Sequence, residues 1–501
     1  MSESKGLAVK TLKVKAPLGG WNSRDPVSSM EPGDAVSMVN LQVDTDGVSI
    51  RPGFTQFVQL MAVTGWVNSL ISWKTQYGER LLSAAPNTAA DHRLFDISTG
   101  SASLIKSGFV ASKWRARAMS GRLALVNGGD QPQELQFTPG TGVTIRDLAI
   151  TGGNPNPESF KIIHVHKSRS YFATGDEPAF WYSAVNALGG TLTKFPIDRV
   201  SDTSGNVIEL SSWTRDGGSG PDDFFVLFLD TGEVIVYQGS NPGDAADWAL
   251  VGRYRLGKVL TTTQFGGKIH VVTDQDYNIL PDDLLTEGIT VPTKMSGAAR
   301  DAVKRDASDN WQILFDPVWG WRIINVPSGN NREQHILSLR SGAPSKFTIS
   351  ANCWSRYKGE LYFGGTNATV FKIREGDDNG TAIEWSVQQA FTDFGSNLPK
   401  GVRNYRPMWH TFGDLTVGSG LAYDYEGQDF AQEMSTTTTG SPWNTSPWNT
   451  SSWTSGHPTS REWLVGIGYG QNVSLLQSGT ATEKATWHHS DYRLEVGEDA
   501  F

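Results

Sequence analysis

The sequence predicts an all-β chain: a β-propeller of about seven blades, six or eight being also compatible, with a small C-terminal β domain. Three observations predict it. Pairs of β-rich runs recur at a long, regular spacing, the composition is rich in glycine and aromatic residues, and the texture of the chain changes near residue 405. Glycine occurs 54 times in 501 residues and charged residues make up only 19 %, against about 7 % and about 25 % in average domains. With 38 % apolar and 11 % aromatic residues, the chain buries enough surface to offset its ordering entropy. At this length a single compact core is not expected, which favours several domains or a radial repeat.

The paired runs are residues 81–84 with 94–97, 123–126 with 135–137, 170–173 with 180–182, 225–229 with 234–237, 268–272 with 277–280, 311–315 with 321–326, and 360–363 with 370–373. With Leu82, Leu123, Tyr171, Val226, Ile269, Ile313 and Leu361 as markers, successive separations are 41, 48, 55, 43, 44 and 48 residues. Hairpins repeating every 40–50 residues or so have the spacing of propeller blades. An array of β-sandwiches instead repeats its turn signals about every 8–12 residues with no larger period. Turns such as Asp230-Thr231-Gly232 and Gly364-Gly365-Thr366-Asn367 tolerate positive φ, and the runs are rich in Val, Ile, Phe, Tyr and Trp, which suit a pleated surface. No Trp-Asp dipeptide occurs, and only residues 361–365 look like a kelch repeat.

Helix is sparse. Ser296 is placed to cap a short helix through Ala298, Ala299, Ala302 and Val303, and Pro32 to open a helical turn through Val36. The expected organisation is an N-terminal segment (1–60) for attachment and blade closure, a propeller (61–404) and a C-terminal β domain (405–501). In the last of these, a five-residue tandem repeat carries Trp443, Trp448 and Trp453. Five is odd, so an extended strand would put Trp443 and Trp448 on opposite faces, as in a ribbon clamped from both sides. Strands are expected at 463–469, 473–476 and 485–494.

The lone Cys353 rules out an internal disulfide framework or a cysteine-rich metal site and fits synthesis in a reducing cytoplasm. No secretory apolar stretch follows the N-terminus, and the longest dense apolar run, 224–229, is far short of the roughly 20 residues that span a bilayer. A soluble, unsecreted protein is expected. The formal charge of −9 has the wrong sign for gripping nucleic-acid phosphates, so DNA is expected to pass without tight binding.

Sites of chemistry are few. His164 and His166 lie two apart in a β-rich stretch and so share a face, as a metal pair would, but no third ligand is near in sequence. His488-His489 would point to opposite faces. Asp44-Thr45-Asp46-Gly47 lacks the downstream Glu of a calcium loop, that position being Gly53, and reads as a hairpin turn. The glycines of Gly466-Ile467-Gly468-Tyr469-Gly470 mark close strand contact. Residues 174–181 approach the Asp-box of sialidase-like propellers with Pro178 where that pattern has Gly, which indicates a propeller hairpin. No carboxylate pair, phosphate loop or nucleophile elbow is nominated. No catalytic residue, cofactor or metal is expected, and the protein is not expected to be an enzyme.

Several stretches together resemble one family. They are Ala16-Pro17-Leu18-Gly19-Gly20-Trp21-Asn22-Ser23-Arg24; Met30-Glu31-Pro32-Gly33-Asp34-Ala35; Asn40-Leu41; and Gly47-Val48-Ser49-Ile50-Arg51-Pro52-Gly53. Further on come 222–228 with 232–239, Asn352-Cys353-Trp354 with 361–365, and the Trp443/Trp448/Trp453 repeat. In this order, over nearly the whole chain, they resemble the tail hub or nozzle ("stabilisation protein"-like) proteins of short-tailed bacteriophages. The resemblance implies a β-propeller in a six-fold homo-oligomeric ring below the portal and the adaptor protein. That ring would line the DNA exit channel and seat tail fibres, spikes, a needle or a plug, in a virion tail assembled in the host cytoplasm. It offers no catalytic residues, and marks Gly19, Gly20, Asn40, Arg51, Pro52, Gly53, Trp443, Trp448 and Trp453 as motif or assembly positions. Residues 367–369 and the loop 374–381 depart from its pattern.

Six copies multiply the charge of −9, and an acidic lumen would let DNA slide. Loops 217–220 and 377–380 are candidates for a gate or plain surface loops, and the tryptophan ribbon for a subunit clasp, given the aromatic enrichment of interfaces, or a carbohydrate-stacking surface. The competing class is a carbohydrate-binding or glycosidase-like propeller.

Overall fold

The computed structural model describes residues 10–152, 156–216, 221–279, 293–306, 310–327, 332–411, 413, 415–426, 432–436, 459 and 462–496. Seven small antiparallel blades succeed one another along the chain, six of them separate sheets and one, the sixth, the start of a ten-stranded sheet. Blade one is Ser69–Thr75, Gly78–Thr88, Asp91–Asp96 and Ser103–Phe109; blade two is Arg115–Met119, Arg122–Val126, Gln133–Thr138 and Gly142–Asp147. Blade three is Ile162–His166, Arg169–Ala173, Ala179–Tyr182 and Thr193–Pro196, and blade four is Val207–Asp216, Pro221–Leu229, Glu233–Gln238 and Ala249–Arg255. Blade five has three described strands, Val259–Phe265, Lys268–Thr273 and Tyr277–Ile279; blade six is Gln312–Asp316, Trp321–Val326, Glu333–Ser338 and Pro344–Phe347. Blade seven is Cys353–Tyr357, Glu360–Gly364, Thr369–Arg374 and an outer strand from the N-terminus, Gly53–Gln59.

The first strand of each blade touches that of the next, and Cys353–Tyr357 of blade seven touches Ser69–Thr75 of blade one, so the ring closes. The chain is a seven-bladed β-propeller. Closure is by strand exchange: Gly53–Gln59 pairs antiparallel with Thr369–Arg374, so one blade is built from both ends of the ring. All seven hairpins expected from the sequence are present. Six join the second and third strands of a blade, and the Trp311–Val326 hairpin joins the first and second strands of blade six.

The middle strands are the most apolar because neighbouring blades cover them on both faces. Phe225, Val226, Leu227, Phe228 and Leu229 are fully buried, as are Tyr171, Phe172 and Ala173. The inner strands are more polar and line a central channel. At the outer edge of blade six, Pro344–Phe347 meets Asp34–Val39, and the sheet runs on through Ile383–Gln389, Val473–Ala481 and Leu415–Tyr423 to Gln432–Thr436. A second sheet pairs Lys400–Thr411 with Ala485–Val496, then Val48–Ile50 and Leu41–Val43, and Lys10–Lys15 also pairs with Ala485–Val496. The two sheets form a sandwich around buried Trp385, Trp409, Trp487, Tyr405 and Tyr492.

This sandwich therefore takes strands from residues 10–50, from 383–389 and from 400–496. Residues 404 and 405, between which the sequence division falls, lie inside the single strand Lys400–Thr411. The helix is Ser296–Arg305, between blades five and six. Its cap is Met295, not Ser296, and makes no side-chain cap bond of its own; the Ser23 hydroxyl instead accepts from the first-turn Ala298 amide at 3.0 Å, while Ser296 begins the helix with its hydroxyl buried without a partner. Asp34–Val39 is a strand and not the helical turn Pro32 suggested, because pairing with Ile383–Gln389 overrides the local proline signal. Among the described residues no helix is long and apolar enough to cross a membrane.

Candidate functional site

Two places concentrate polar chemistry: the joint between propeller and sandwich, and the channel. At the joint the chain turns from Asp34–Val39 into Leu41–Val43 at Asn40, which has φ of 57°. Asparagine tolerates this left-handed conformation better than most residues. Its side chain is fully used. Nδ2 donates to Thr348 Oγ1 and to the Glu384 carbonyl, both at 2.8 Å, and Oδ1 accepts from the Thr348 amide (2.9 Å) and from Arg51 Nε (3.0 Å).

Arg51 is buried, 3 % exposed, between the sandwich strand Val48–Ile50 and the closing strand Gly53–Gln59. Its Nη1 donates to the Pro52 carbonyl (3.0 Å) and Asp378 Oδ1 (2.8 Å), and Nη2 to Asp378 Oδ2 (2.7 Å). A planar guanidinium suits such a fork, and the buried charge requires its carboxylate. Gly53 lets the backbones close up. A Cβ there would lie 2.0 Å from the Asp377 carbonyl oxygen, which accepts from the Phe54 amide at 3.0 Å.

Gly20 opens the short strand Gly20–Trp21, which pairs parallel with Asp34–Val39 at the outer edge of blade six, and Gly19 stands just before it. A Cβ on Gly19 would meet Asp34 Oδ1 at 2.0 Å; Gly20 has φ of +77°, and its Cβ would meet the Pro344 carbonyl at 2.4 Å. Asp34, buried, accepts from Asn22 Nδ2 and pairs with Lys294. The structure thus brings Asn40, Arg51, Pro52 and Gly53 into one cluster and sets Gly19 against Asp34 and Gly20 beside Pro344. Trp443, Trp448 and Trp453 lie outside the described residues, as does loop 217–220. Loop 377–380 is pinned at the joint: Asp378 holds Arg51, and the Asn379 amide donates to the Phe54 carbonyl at 2.7 Å.

The channel has a volume of about 660 Å³ and opens into a mouth of about 360 Å³, with Lys113, Arg115 and Glu209 lining both. Arg115 pairs with Glu209 at 2.6 Å, Arg356 with buried Asp316 at 3.0 Å, and Lys113 bonds to Asn310. Burial pushes the Asp316 carboxyl up. Arg117 lines the channel, and desolvation lowers its guanidinium pKa, with Glu209 opposing the shift and Arg115 adding to it. Its side-chain hydrogen bond is to the Ala116 carbonyl.

His164 and His166 do share a face. Ser212 Oγ lies 2.8 Å from His164 Nε2 and 2.7 Å from His166 Nδ1, within hydrogen-bond distance of both rings. Burial lowers both imidazoles, His166 to about 4. Among the described residues no group of three or more His, Cys, Asp and Glu side chains is placed to hold a metal ion. The Asp44–Gly47 segment is a hairpin turn, its Asp44 amide donating to the Gly47 carbonyl. Gly466, Gly468 and Gly470 lie against Val402, Tyr423 and Asp424, closer than any Cβ would allow.

Sequence reasoning missed the channel cations. Lys113, Lys161 and Lys258 each stand one or two residues before the first strand of a blade, a register visible only once the blades are aligned.

No protein-family model matches the chain, and no curated protein sequence matches it. Among solved structures it is similar to Sqt1 of Saccharomyces cerevisiae at 8 % identity, over 64 % of this chain and 99 % of that one, with a TM-score of 0.39. It is also similar to Raptor of Chaetomium thermophilum at 9 % identity, over 65 % of this chain and 29 % of that one, with a TM-score of 0.41. The seven blades of this chain and the contacts that close them into a ring, and not these likenesses, carry the propeller assignment.

Proposed function

We propose that the chain is a structural protein of a short-tailed bacteriophage tail: a hub or nozzle subunit in a six-fold ring below the portal and adaptor. The ring would line the DNA exit path and seat fibres, spikes or a needle, without an enzymatic step or a cofactor. One observation supports this reading above the rest. The N-terminal residues that carry the family resemblance, Asn40, Arg51, Pro52 and Gly53, are those that lock the propeller to the sandwich. The resemblance therefore falls on residues that set the architecture of the whole subunit. A rigid joint is what such a ring needs, because each subunit must hold one fixed angle for the ring to close.

The test is electron microscopy of purified particles from the source of this sequence, with an antibody raised against the chain. The expected result is label on a six-fold ring at the tail. Particles free of the chain, or a chain that co-purifies with sugar-uptake proteins and binds oligosaccharide, would overturn the proposal in favour of a carbohydrate-binding propeller.

A further inference from the structure

We propose that the channel mouth is a binding site for a small polyanion of the di- or triphosphate class. Lys113, Arg115, Lys161 and Lys258 surround the mouth, and Arg117 lines the channel below it. The carboxylates there are Glu209, paired with Arg115, and Asp230, which accepts from the Asn206 amide and side chain. Positive charge is thus concentrated in one concavity of a chain whose formal charge is −9. A charged cleft with low-dielectric walls focuses its field and raises the local concentration of the opposite charge.

Three features make this a built site. First, the cations come from different blades: Lys113 precedes the first strand of blade two, Lys161 that of blade three and Lys258 that of blade five. The ring alone gathers them. Second, Lys161 has a cleared seat. Gly128 has φ of +75°, and a Cβ on it would lie 2.2 Å from Lys161 Cγ, while a Cβ on Gly175 would lie 3.5 Å from Lys161 Cδ. Third, no carboxylate of the described residues pairs with Arg117, Lys161 or Lys258, in contrast to Arg115. The channel wall adds hydroxyl groups from Thr261, Thr262 and Thr263.

Volumes of about 360 and 660 Å³ fall in the range of small-molecule sites, roughly 300–1,000 Å³, and are too small for duplex DNA. A polyphosphate carries several oxyanion groups on one chain and so offers partners to more than one of these cations, which come from two adjoining parts of one concavity. Guanidinium and ammonium groups recognise such oxyanions through charge-assisted hydrogen bonds.

The test is isothermal titration of the full chain with inorganic tripolyphosphate at constant ionic strength, with orthophosphate and a duplex DNA oligonucleotide as further arms. Saturable binding of one tripolyphosphate per chain is expected, with orthophosphate weaker. Removing one charge-assisted contact should weaken binding on the order of tenfold in Arg117→Gln, Lys161→Gln and Lys258→Gln, and Gly128→Ala should weaken it by displacing the Lys161 stem. Lys304→Gln, on the exposed face of the helix, should bind as the unaltered chain does. Lys161 and Lys258 are exposed, so their variants keep the test open if Arg117→Gln does not fold. Heat that tracks ionic strength alone, variants that bind as the unaltered chain does, or duplex DNA that binds as tightly as tripolyphosphate would each overturn the proposal.

Discussion

Arg51 and Asp378, 327 positions apart in sequence, form a two-pronged ion pair, Nη1 to Oδ1 at 2.8 Å and Nη2 to Oδ2 at 2.7 Å, with the arginine side chain only 2 % exposed. Arg51 lies where the chain leaves the sandwich to close blade seven, and Asp378 where it leaves blade seven to re-enter the sandwich. One pair therefore ties both crossings between the two bodies.

Removing either member strands a largely buried charge. Arg51→Ala and Asp378→Ala should each lower unfolding stability by about 3 kcal/mol, and the double variant should lose much less than the sum of the two. Chemical denaturation of the four chains checks this. Additive losses would show that the two residues do not act as a pair. Arg51→Lys should behave closer to Arg51→Ala than to the unaltered chain, since an ammonium cannot reproduce the fork.

Gly53→Ala should destabilise by about 1–3 kcal/mol, because its methyl group would meet backbone at Asp377 that cannot rotate away. Gly33→Ala is the matched control: no atom lies within 4 Å of the place its methyl group would take and its φ is ordinary, so a near-neutral effect is expected. Thermal unfolding of the two variants side by side reads the difference.

Stability should fall as pH drops from about 6.5 toward 4. Burial holds His166 and His270 at about 4, against an ordinary 6.5. For His166, nearby Lys167 disfavours the charged form and Asp223 favours it; for His270, Arg322 and Lys268 both disfavour it. A histidine held low is protonated in the unfolded chain before the folded one, so its contribution is complete above pH 6.5 and is lost as pH falls to the folded value. Each site adds a slope of up to about 1.4 kcal/mol per pH unit in that window. Glu333, held well below its ordinary value by His335, Arg305 and Lys346 against the cost of burial, adds its own loss only below about pH 4.5. Denaturant midpoints across this range check the slope, which His166→Gln and His270→Gln should each reduce.

Cys353 should be silent to thiol reagents in the folded protein. It is buried, its thiol donates to the Val67 carbonyl at 3.4 Å, and burial pushes its pKa up to about 12. The thiolate is the reactive form. A chromogenic disulfide should react with about one thiol per chain in denaturant and with almost none before unfolding. Rapid native labelling would mean that blades one and seven separate readily where the ring closes.

The hairpins were legible because their causes are local: β-branched and aromatic runs, turns that accept positive φ, and a period set by the length of one blade. The glycine contacts at 466–470 and the shared face of His164 and His166 were legible for the same reason, since strand alternation has a period of two. The joint was legible only as a set of motif residues. Nothing near Arg51 in sequence names Asp378 as its partner, and nothing near Gly53 shows that its strand crosses to Thr369–Arg374. Helix capping by Ser296 and a turn at Pro32 were local signals that tertiary pairing overrode.

By itself, then, the sequence determined that this protein is a ring of hairpins with a small β domain attached, because turn chemistry and side-chain alternation act over a few residues. The tertiary structure decided what closes the ring, which distant strands share the sandwich, and that cations from separate blades converge on one channel mouth. Those outcomes depend on strand pairing and charge proximity across hundreds of residues, where loop closure and burial, not local preference, select the partner.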